Sequence, residues 1–480
     1  MGRLIITPQQ MLAAEKAAIE AGVDSFDLMK RAGLSAAEFV HQNWPLGRIQ
    51  VLCGPGGNGG DGFVAAANLV ERWRDVRVFC SVPVEQLTGD AAKAAAMWTG
   101  EILPLEAALE APTDIVIDAL FGTGFSRPLE GAALALAQRG GVVASIDVPS
   151  GIDGLRAIPL GPCFMATATL TFAALKPAHM LHPAAGACGK VVAADIGVAT
   201  DSSWIENVPS LWMRQMPNPG PLGHKHSRGH MKVLSGGVAS TGAARLTARA
   251  GLRIGAGLVT VLSPPSALIV NASQLTAVMV SSVADIDAFK RELDSAKSVV
   301  VGPGAGVTQG TYDRVIAALE SEATVILDAD ALTVFEDKPT ALFQALRKTD
   351  VLTPHIGEFR RLFGDLLEKS DNKIDAVIEA AKQAGCIVLL KGQDTVIADA
   401  EGRVVVNNHA ASWLATAGSG DVLAGFISGL ICQGMEPLLA TAMATWVHGE
   451  ASRRIGAGLI SEDLEQQVPN ILSALHGEFG

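Results

Sequence analysis

The chain of 480 residues has few of the features that would place a protein outside the cell, in a membrane or on nucleic acid. Its six cysteines are irregularly spaced and form no Cys-x-x-Cys pair, so neither a disulfide framework nor a zinc site is supported. No run reaches about eighteen uninterrupted apolar residues, the length a membrane helix needs. The most apolar stretch, GAGLVTVLSPPSALIV, is broken by Ser263, Pro264 and Pro265. Positive charge is also scarce: 37 Lys and Arg stand against 49 Asp and Glu, a formal net charge of −12, which argues against a nucleic-acid-binding surface. The opening MGRLIITPQQ lacks the shape of a signal peptide and reads as a helix start, with Thr7 as N-cap, Pro8 as first helical residue and Gln10 completing a capping box. A cytoplasmic protein is expected.

What is present describes a packed enzyme: 49% of the residues are apolar and only 18% charged. The length exceeds what one hydrophobic core usually serves, so two domains are the default. In the first half RIQVLC, DVRVFC, TDIVIDAL and VVASIDVPSGID are continuous apolar runs separated by helical patterns, the signature of parallel strands in a doubly wound α/β sheet. Periodicity fails and prolines cluster over Ser203 to Gly223, which sets the expected boundary between domains 1–212 and 213–480. Beyond it HMKVLSGG, GLVTVLSP, SVVVGPGAG, TVILDADAL, DVLTPH, CIVLLKG and TVIAD predict a second α/β domain. There is no short internal repeat.

Ligands of open α/β sheets bind at the carboxyl ends of strands, so the polar residues just past each strand are the candidates. The first such place is CGPGGNGGDGFV, with six glycines between Gly54 and Gly62 and only Asn58 and Asp61 as polar side chains. A strand-to-helix turn of this composition permits positive φ, close approach of a ligand to the backbone, and an anion at the helix start. It fits neither GxGxxG with its acidic partner nor GxxxxGK[ST], and a purely structural tight turn is the alternative. Asp118, Asp147, Ser150 and Lys176 follow later strands. The two aspartates either cap loops or serve acid/base chemistry or a small cation bound by oxygen atoms. In the second half TAGSGDVLAGFISGL would put the amides of Gly418 to Gly420 at a helix N-terminus with Asp421 beside them, as phosphoryl transfer requires; a plain N-cap is the competing reading. His224, His226 and His230 in GHKHSRGHMK lack the partners of common zinc sites and read better as part of a ligand-covering loop.

The order GNGGDG, DALFGTG, DVPSGID and TFxxxKP over about residues 1–210 resembles the YjeF N-terminal family of NAD(P)H-hydrate epimerases. TPHxGE, LKGxxT and GxGD over about residues 223–475 resemble the ribokinase-like ADP- or ATP-dependent NAD(P)H-hydrate dehydratases. The resemblance implies a Rossmann-like three-layer sandwich followed by a ribokinase-like α/β domain. It implies a lyase and isomerase on one chain that interconverts the R and S hydrates of NADH and NADPH and dehydrates the S form with ADP or ATP. By the same resemblance Asn58, Asp118 and Ser150 would hold K⁺. Gly57, Asn58, Gly59, Gly60, Asp61, Gly122, Thr123, Gly124, Phe125, Ser126, Arg127, Pro128 and Asp147 would contact the hydrate, with Asp147 as acid/base. The family usually has Asn where this chain has Gly57. In the second domain Ala243, Gly306, His355 and Asp421 would hold the hydrate, and Lys391, Gly392, Gln393, Asp394, Thr395 and Gly420 the Mg²⁺-bound nucleotide, with Asp421 as base. The partners expected are these small molecules and further copies of the chain in a homo-oligomer. A small-molecule kinase with an N-terminal ligand-binding module is the alternative, since GxGD chemistry is shared across the ribokinase-like superfamily.

Overall fold

The computed structural model describes residues 2–218, 220 and 223–479. The chain divides into two compact units, Arg3–Ser202, and Ser203–Gly480 with Met1–Gly2. Each has its own sheet.

The first sheet contains seven strands: β1 (Ile49–Cys53), β2 (Val76–Cys80), β3 (Ile102–Pro104), β4 (Ile115–Ala119), β5 (Val142–Ile146), β6 (Ala168–Phe172) and β7 (Lys190–Ala194). They lie in the order β3-β2-β1-β4-β5-β6-β7, all parallel. β1, β4 and β6 are buried at every residue, which is why they read as unbroken apolar runs rather than as alternation. The order reverses between β1 and β4, so the crevice at their carboxyl ends is where a ligand belongs. Two helices line that crevice and a third packs against one of them. In α1 (Pro8–Glu20) the capping box is present, Thr7 and Gln10 each accepting from the other's backbone N–H. α2 (Ser25–Asn43) starts on the Asp24 side chain, and α3 (Gly57–Glu71) follows β1.

The glycine-rich segment lies mostly within the first turns of α3, and no glycine from Gly54 to Gly62 has a positive φ. Positive φ is therefore not the reason for these glycines; close packing is. A Cβ on Gly59 would come within 1.9 Å of the Gly54 carbonyl oxygen, and one on Gly62 within 2.7 Å of the Ala119 side chain.

The second sheet contains β8 (Trp204–Glu206), β9 (His230–Leu234), β10 (Leu258–Ser263), β11 (Met279–Ser282), β12 (Ser298–Val301), β13 (Thr324–Leu327), β14 (Val351–Leu352), β15 (Ile387–Leu390), β16 (Thr395–Ala398) and β17 (Val404–Asn407). Their order is β8-β17-β16-β15-β14-β13-β12-β9-β10-β11, with β16 antiparallel to both its neighbours. Four helices matter to function: α4 (Thr241–Ile254), α5 (Ile356–Phe363), α6 (Ser419–Cys432) and α7 (Pro437–Ile455). α6 is buried from Val422 through Cys432 and apolar on all sides, as expected of a central helix.

The boundary falls at Ser202/Ser203 rather than at 212/213. β8 pairs with β17, and the helix Pro209–Trp212 follows it. The Trp212 indole is fully buried and donates to Asn207 Oδ1 at 3.1 Å, while Asn207 Nδ2 donates to Asn407 Oδ1 and the Ala442 carbonyl at 2.9 and 2.7 Å. A three-residue strand is too short to show alternation, so the sequence signalled only its prolines. Pro219, Pro221 and Leu222, within the expected linker, lie outside the described residues.

Candidate active sites

In the first domain a cavity of about 750 Å³ opens at the carboxyl ends of β1, β4 and β5. Gly57, Asn58, Asp61, residues 122–126 and Asp147 all line it. Gly59 and Gly60 do not, being turned into the packing against Gly54 and Met29, and neither do Arg127 and Pro128, which are exposed. The Phe121 and Phe125 rings stack at 4.2 Å, with the Arg127 guanidinium 6.0 Å from the Phe125 ring.

Asp118, at the end of β4, is fully buried. Its Oδ1 accepts from Ser150 Oγ at 2.6 Å, and its Oδ2 from Ser150 N at 2.8 Å and Ser145 Oγ at 3.0 Å. Burial raises its pKa, and those hydrogen bonds work against the rise. Asn58 lies close by Gly122, and its buried Oδ1 and Nδ2 have no hydrogen-bond partner.

Asp147 has φ +65°, a left-handed conformation that is rare and costly for a non-glycine residue. Oδ2 accepts from Thr123 N at 3.1 Å, and Oδ1 accepts from Thr171 Oγ1 at 3.2 Å and faces Lys176 Nζ at 3.2 Å. Lys176 is buried and also donates to Thr171 Oγ1 and to the Phe172 and Ala174 carbonyls. Burial acts to raise the Asp147 pKa, but the Lys176 charge, aided by His179, outweighs it and leaves the carboxyl below its ordinary value. A Cβ at Gly122 would sit 2.9 Å from Asp147 Oδ2, so only glycine lets the GTG loop close over this carboxylate. His179 accepts from Lys176 N at Nδ1 and donates from Nε2 to the Asp147 carbonyl, and burial lowers its pKa to about 4. Lys176 was visible in sequence as a strand-end residue without a role. Glu15 of α1, which lines the same cavity, gave no signal, because a capping box fixes a helix start and not the face it presents.

In the second domain Lys391 Nζ, just past β15, donates to Asp328 Oδ1 at 2.7 Å, just past β13. A Cβ on Gly420 would lie 3.3 Å from that Nζ and 3.6 Å from Asp328 Oδ2, which places the Gly-Ser-Gly turn directly on the pair. Gly418, at φ +85°, starts α6, and Asp421 stands in its first turn. Burial first, then the charges of Asp328 and Asp330 against that of Lys391, raises Asp421 to about 7. Burial disfavours the Lys391 ammonium, yet Asp328, Glu358 and Asp421 together hold its pKa above the ordinary value. Thr247 Oγ1 donates to the carbonyls of Ala243 and Asp421, both at 3.0 Å, tying α4 to the first turn of α6. Gly306, at φ +81°, donates its N–H to Asp330 Oδ2 at 2.8 Å. His355 is the N-cap of α5: its Nδ1 accepts from Gly357 N and Glu358 N, and half of its side chain stays exposed.

A neighbouring cavity of about 390 Å³ is lined by Lys391, Gly392, Gln393, Thr395 and Gly420 together with Asn407, the loop around Ala410 to Ala415, Thr445 and His448. Asp394 does not line it and instead pairs with Lys373 at 2.8 Å, holding the β15–β16 turn. His448 was not foreseen, a lone histidine within a helix. Its Nε2 donates to the Ser419 carbonyl at 2.9 Å, and burial keeps its pKa at about 4, so it braces the Gly-Ser-Gly turn as a neutral ring. Asp328 was missed although TVILDADAL puts it just past a strand, where Asp118 was found. His230 sits in β9 with Nε2 at 2.8 Å from Thr260 Oγ1, and His224 accepts from Ser227 N. No group of three His, Cys, Asp or Glu side chains suited to a metal occurs among the described residues, and none of the described helices is long and apolar enough to cross a membrane.

A doubly wound domain with carboxylates at its switch point, followed by an α/β domain with a Gly-Ser-Gly-Asp helix start, defines a two-site enzyme. Residues 231–471 match the family described as NAD(P)H-hydrate dehydratase, and residues 25–178 that described as YjeF-related protein N-terminus. Bifunctional NAD(P)H-hydrate repair enzymes of Moorella thermoacetica and Coxiella burnetii are 33% and 32% identical, covering 99% and 95% of this chain and 97% and 96% of their own. A ribokinase-like superfamily protein of Enterococcus faecalis shares the fold, with a TM-score of 0.53 at 20% identity over 58% of this chain and 98% of its own. The chain belongs to the bifunctional NAD(P)H-hydrate repair enzyme family.

Proposed function

We propose that this chain repairs hydrated NADH and NADPH at two separate sites. The first domain interconverts the R and S hydrates. The second dehydrates the S form to NAD(P)H, converting ADP or ATP to AMP or ADP with release of phosphate. The observation that carries the reading is Asp421, raised to about 7 at the amide-rich start of α6 and beside the Asp328–Lys391 pair. A carboxylate poised near neutrality is suited to accept a proton from an alcohol. The hydrate's hydroxyl is a poor leaving group. Asp421 takes its proton as the oxygen bonds to the terminal phosphorus, the bond from that phosphorus to the nucleotide's bridging oxygen breaks, and the amides of the Gly-Ser-Gly turn receive the charge on the moving phosphoryl. The ring then loses phosphate and an adjacent proton, and the double bond returns.

The nucleotide fits the cavity that Lys391 to Gln393, Thr395 and Gly420 line together with Asn407 and Thr445. Mg²⁺ would arrive on its phosphates, whose oxygens are the hard ligands it prefers. In the first domain the partnerless Asn58 amide, with Ser150 and Asp118, fits a weakly held monovalent cation such as K⁺, which when bound would offset the charge of the hydrate's diphosphate. Asp147, kept ionised by Lys176, is the base of that site.

The test is to incubate the full chain with a mixture of NADH-hydrate epimers, Mg²⁺ and ADP or ATP, and to follow NADH absorbance. Both epimers should be consumed. Without nucleotide only their ratio should change. Absence of NADH recovery with either nucleotide would remove the reading.

A further inference from the structure

Asp61 is the unusual carboxyl of the first domain's cavity. It stands in the opening turns of α3, lines the same space as Asp147, and has Glu15 of α1 as its other acidic neighbour. Asp147 is surrounded by donors: Thr123 N, Thr171 Oγ1 and Lys176 Nζ. No donor among the described residues reaches the Asp61 carboxyl. The two carboxyls thus share one cavity with opposite surroundings, one built for a charge and one for a proton. Burial first, then the charges of Asp147 and Glu15, push Asp61 well above the ordinary carboxylate range.

Inverting the hydrated carbon requires both kinds of group at once. That carbon carries the hydroxyl and the ring nitrogen. If its bond to nitrogen breaks, the hydroxyl proton goes to a base, a carbonyl forms, and the electron pair left on nitrogen accepts a proton from an acid. If its bond to oxygen breaks, the oxygen leaves as water after taking a proton from an acid, the nitrogen pair forms an iminium, and water returning to the other face gives a proton to a base. Closing from the opposite face restores every proton and consumes no oxidant. Lys176 cannot be the acid, since Nζ is held by three oxygens besides Asp147, and His179 is a neutral ring occupied at both nitrogens.

Resting on the epimerase reading of this domain, we propose that Asp61 is its general acid, a catalytic residue that gives a proton to the hydrate while the Asp147 carboxylate takes one. Glu15 is the competing candidate. The Lys176 charge acts to lower its pKa, an influence absent around Asp61, although burial and Asp147 still leave it raised. Asp153 also stands in the cavity wall, and α2 and the helix Gly89–Ala95, both packed against α3, carry the Lys30–Asp27 and Lys93–Asp90 ion pairs.

The experiment follows interconversion of a single purified NADH-hydrate epimer by the full chain without nucleotide, corrected for the buffer rate, across pH. The wild type should give a bell: the rate falls at low pH as Asp147 takes a proton and at high pH as Asp61 loses one. Asp61→Asn should lower kcat about a hundredfold or more, abolish the alkaline limb and leave KM within about threefold, while Asp61→Glu should restore part of the rate together with the limb. A thermal transition of the isolated segment 3–202 that matches wild type in the same variant shows that the first domain is folded, since dehydration of the S epimer reports only on the second. An alkaline limb that survives Asp61→Asn, or that vanishes instead in Glu15→Gln, overturns the assignment. A wild type that does not exceed the buffer rate overturns the epimerase reading beneath it.

Discussion

Asp421 shows how a single side chain links stability to chemistry. Its pKa stands at about 7 against an ordinary 3.8, because folding buries it and sets Asp328 and Asp330 near it. The charged form is what the reaction needs and what the fold disfavours. As pH rises, an unfolded chain gives up this proton first, so the native state loses stability relative to the unfolded one between about pH 4 and about pH 7. Asp421→Asn, which cannot ionise, should therefore gain in Tm over wild type by an amount that grows across that window and then levels. The same variant should lose dehydration by about a hundredfold or more while keeping epimerisation, because its amide accepts no proton. In the wild type, kcat/KM for dehydration should climb with pH up to about 7. Thermal melts and initial rates over the same pH series check both halves; a Tm difference that shrinks as pH rises would contradict the assigned ionisation.

At the scale of elements, α3 explains why six glycines gather between β1 and the body of the helix. The sequence made the strand, the turn and the helix visible, but it suggested backbone freedom where the fold uses absence of bulk. The difference separates neighbours two residues apart. Gly57 has open space around its missing Cβ and no positive φ, so Gly57→Asn should fold as wild type and place an amide at the cavity wall. Gly59→Ala drives a methyl to 1.9 Å from the Gly54 carbonyl and should destabilise the first domain by roughly 1–3 kcal/mol or more. Denaturant titrations of the two variants separate these outcomes; equal midpoints would show that close packing is not why glycine is there. Strand ends were legible for the same reason that made the resemblance legible: buried parallel strands are unbroken apolar runs, and the polar residue after each is exposed by contrast. Lys176, Asp328 and His448 escaped assignment because their roles depend on partners brought from elsewhere in the chain: Asp147, Lys391 and the carbonyl of Ser419.

For the molecule as a whole, the division at Ser202/Ser203 makes a sharper claim than two domains alone. Ten residues lie between it and the boundary the prolines suggested. They contain β8, hydrogen-bonded to β17 at the edge of the second sheet, the buried Asn207 with its bonds to Asn407 and the Ala442 carbonyl, and the fully buried Trp212. Removing them would expose an edge strand, leave buried amide groups without partners and empty the space of a tryptophan whose ring lies 5.8 Å from that of Trp446. Loss of a buried aromatic side chain alone costs about 3–5 kcal/mol, a large share of a domain's stability. A fragment of residues 203–480 should therefore be soluble, melt cooperatively and dehydrate only the S hydrate, whereas residues 213–480 should aggregate or melt many degrees lower. Residues 3–202 should be soluble and epimerise without nucleotide, since β7 closes their sheet before the cut. Adding the segment 203–212 to that first fragment should not stabilise it, because its bonding partners belong to the other sheet. Equal melting temperatures for the 203–480 and 213–480 fragments would return the boundary to the proline cluster.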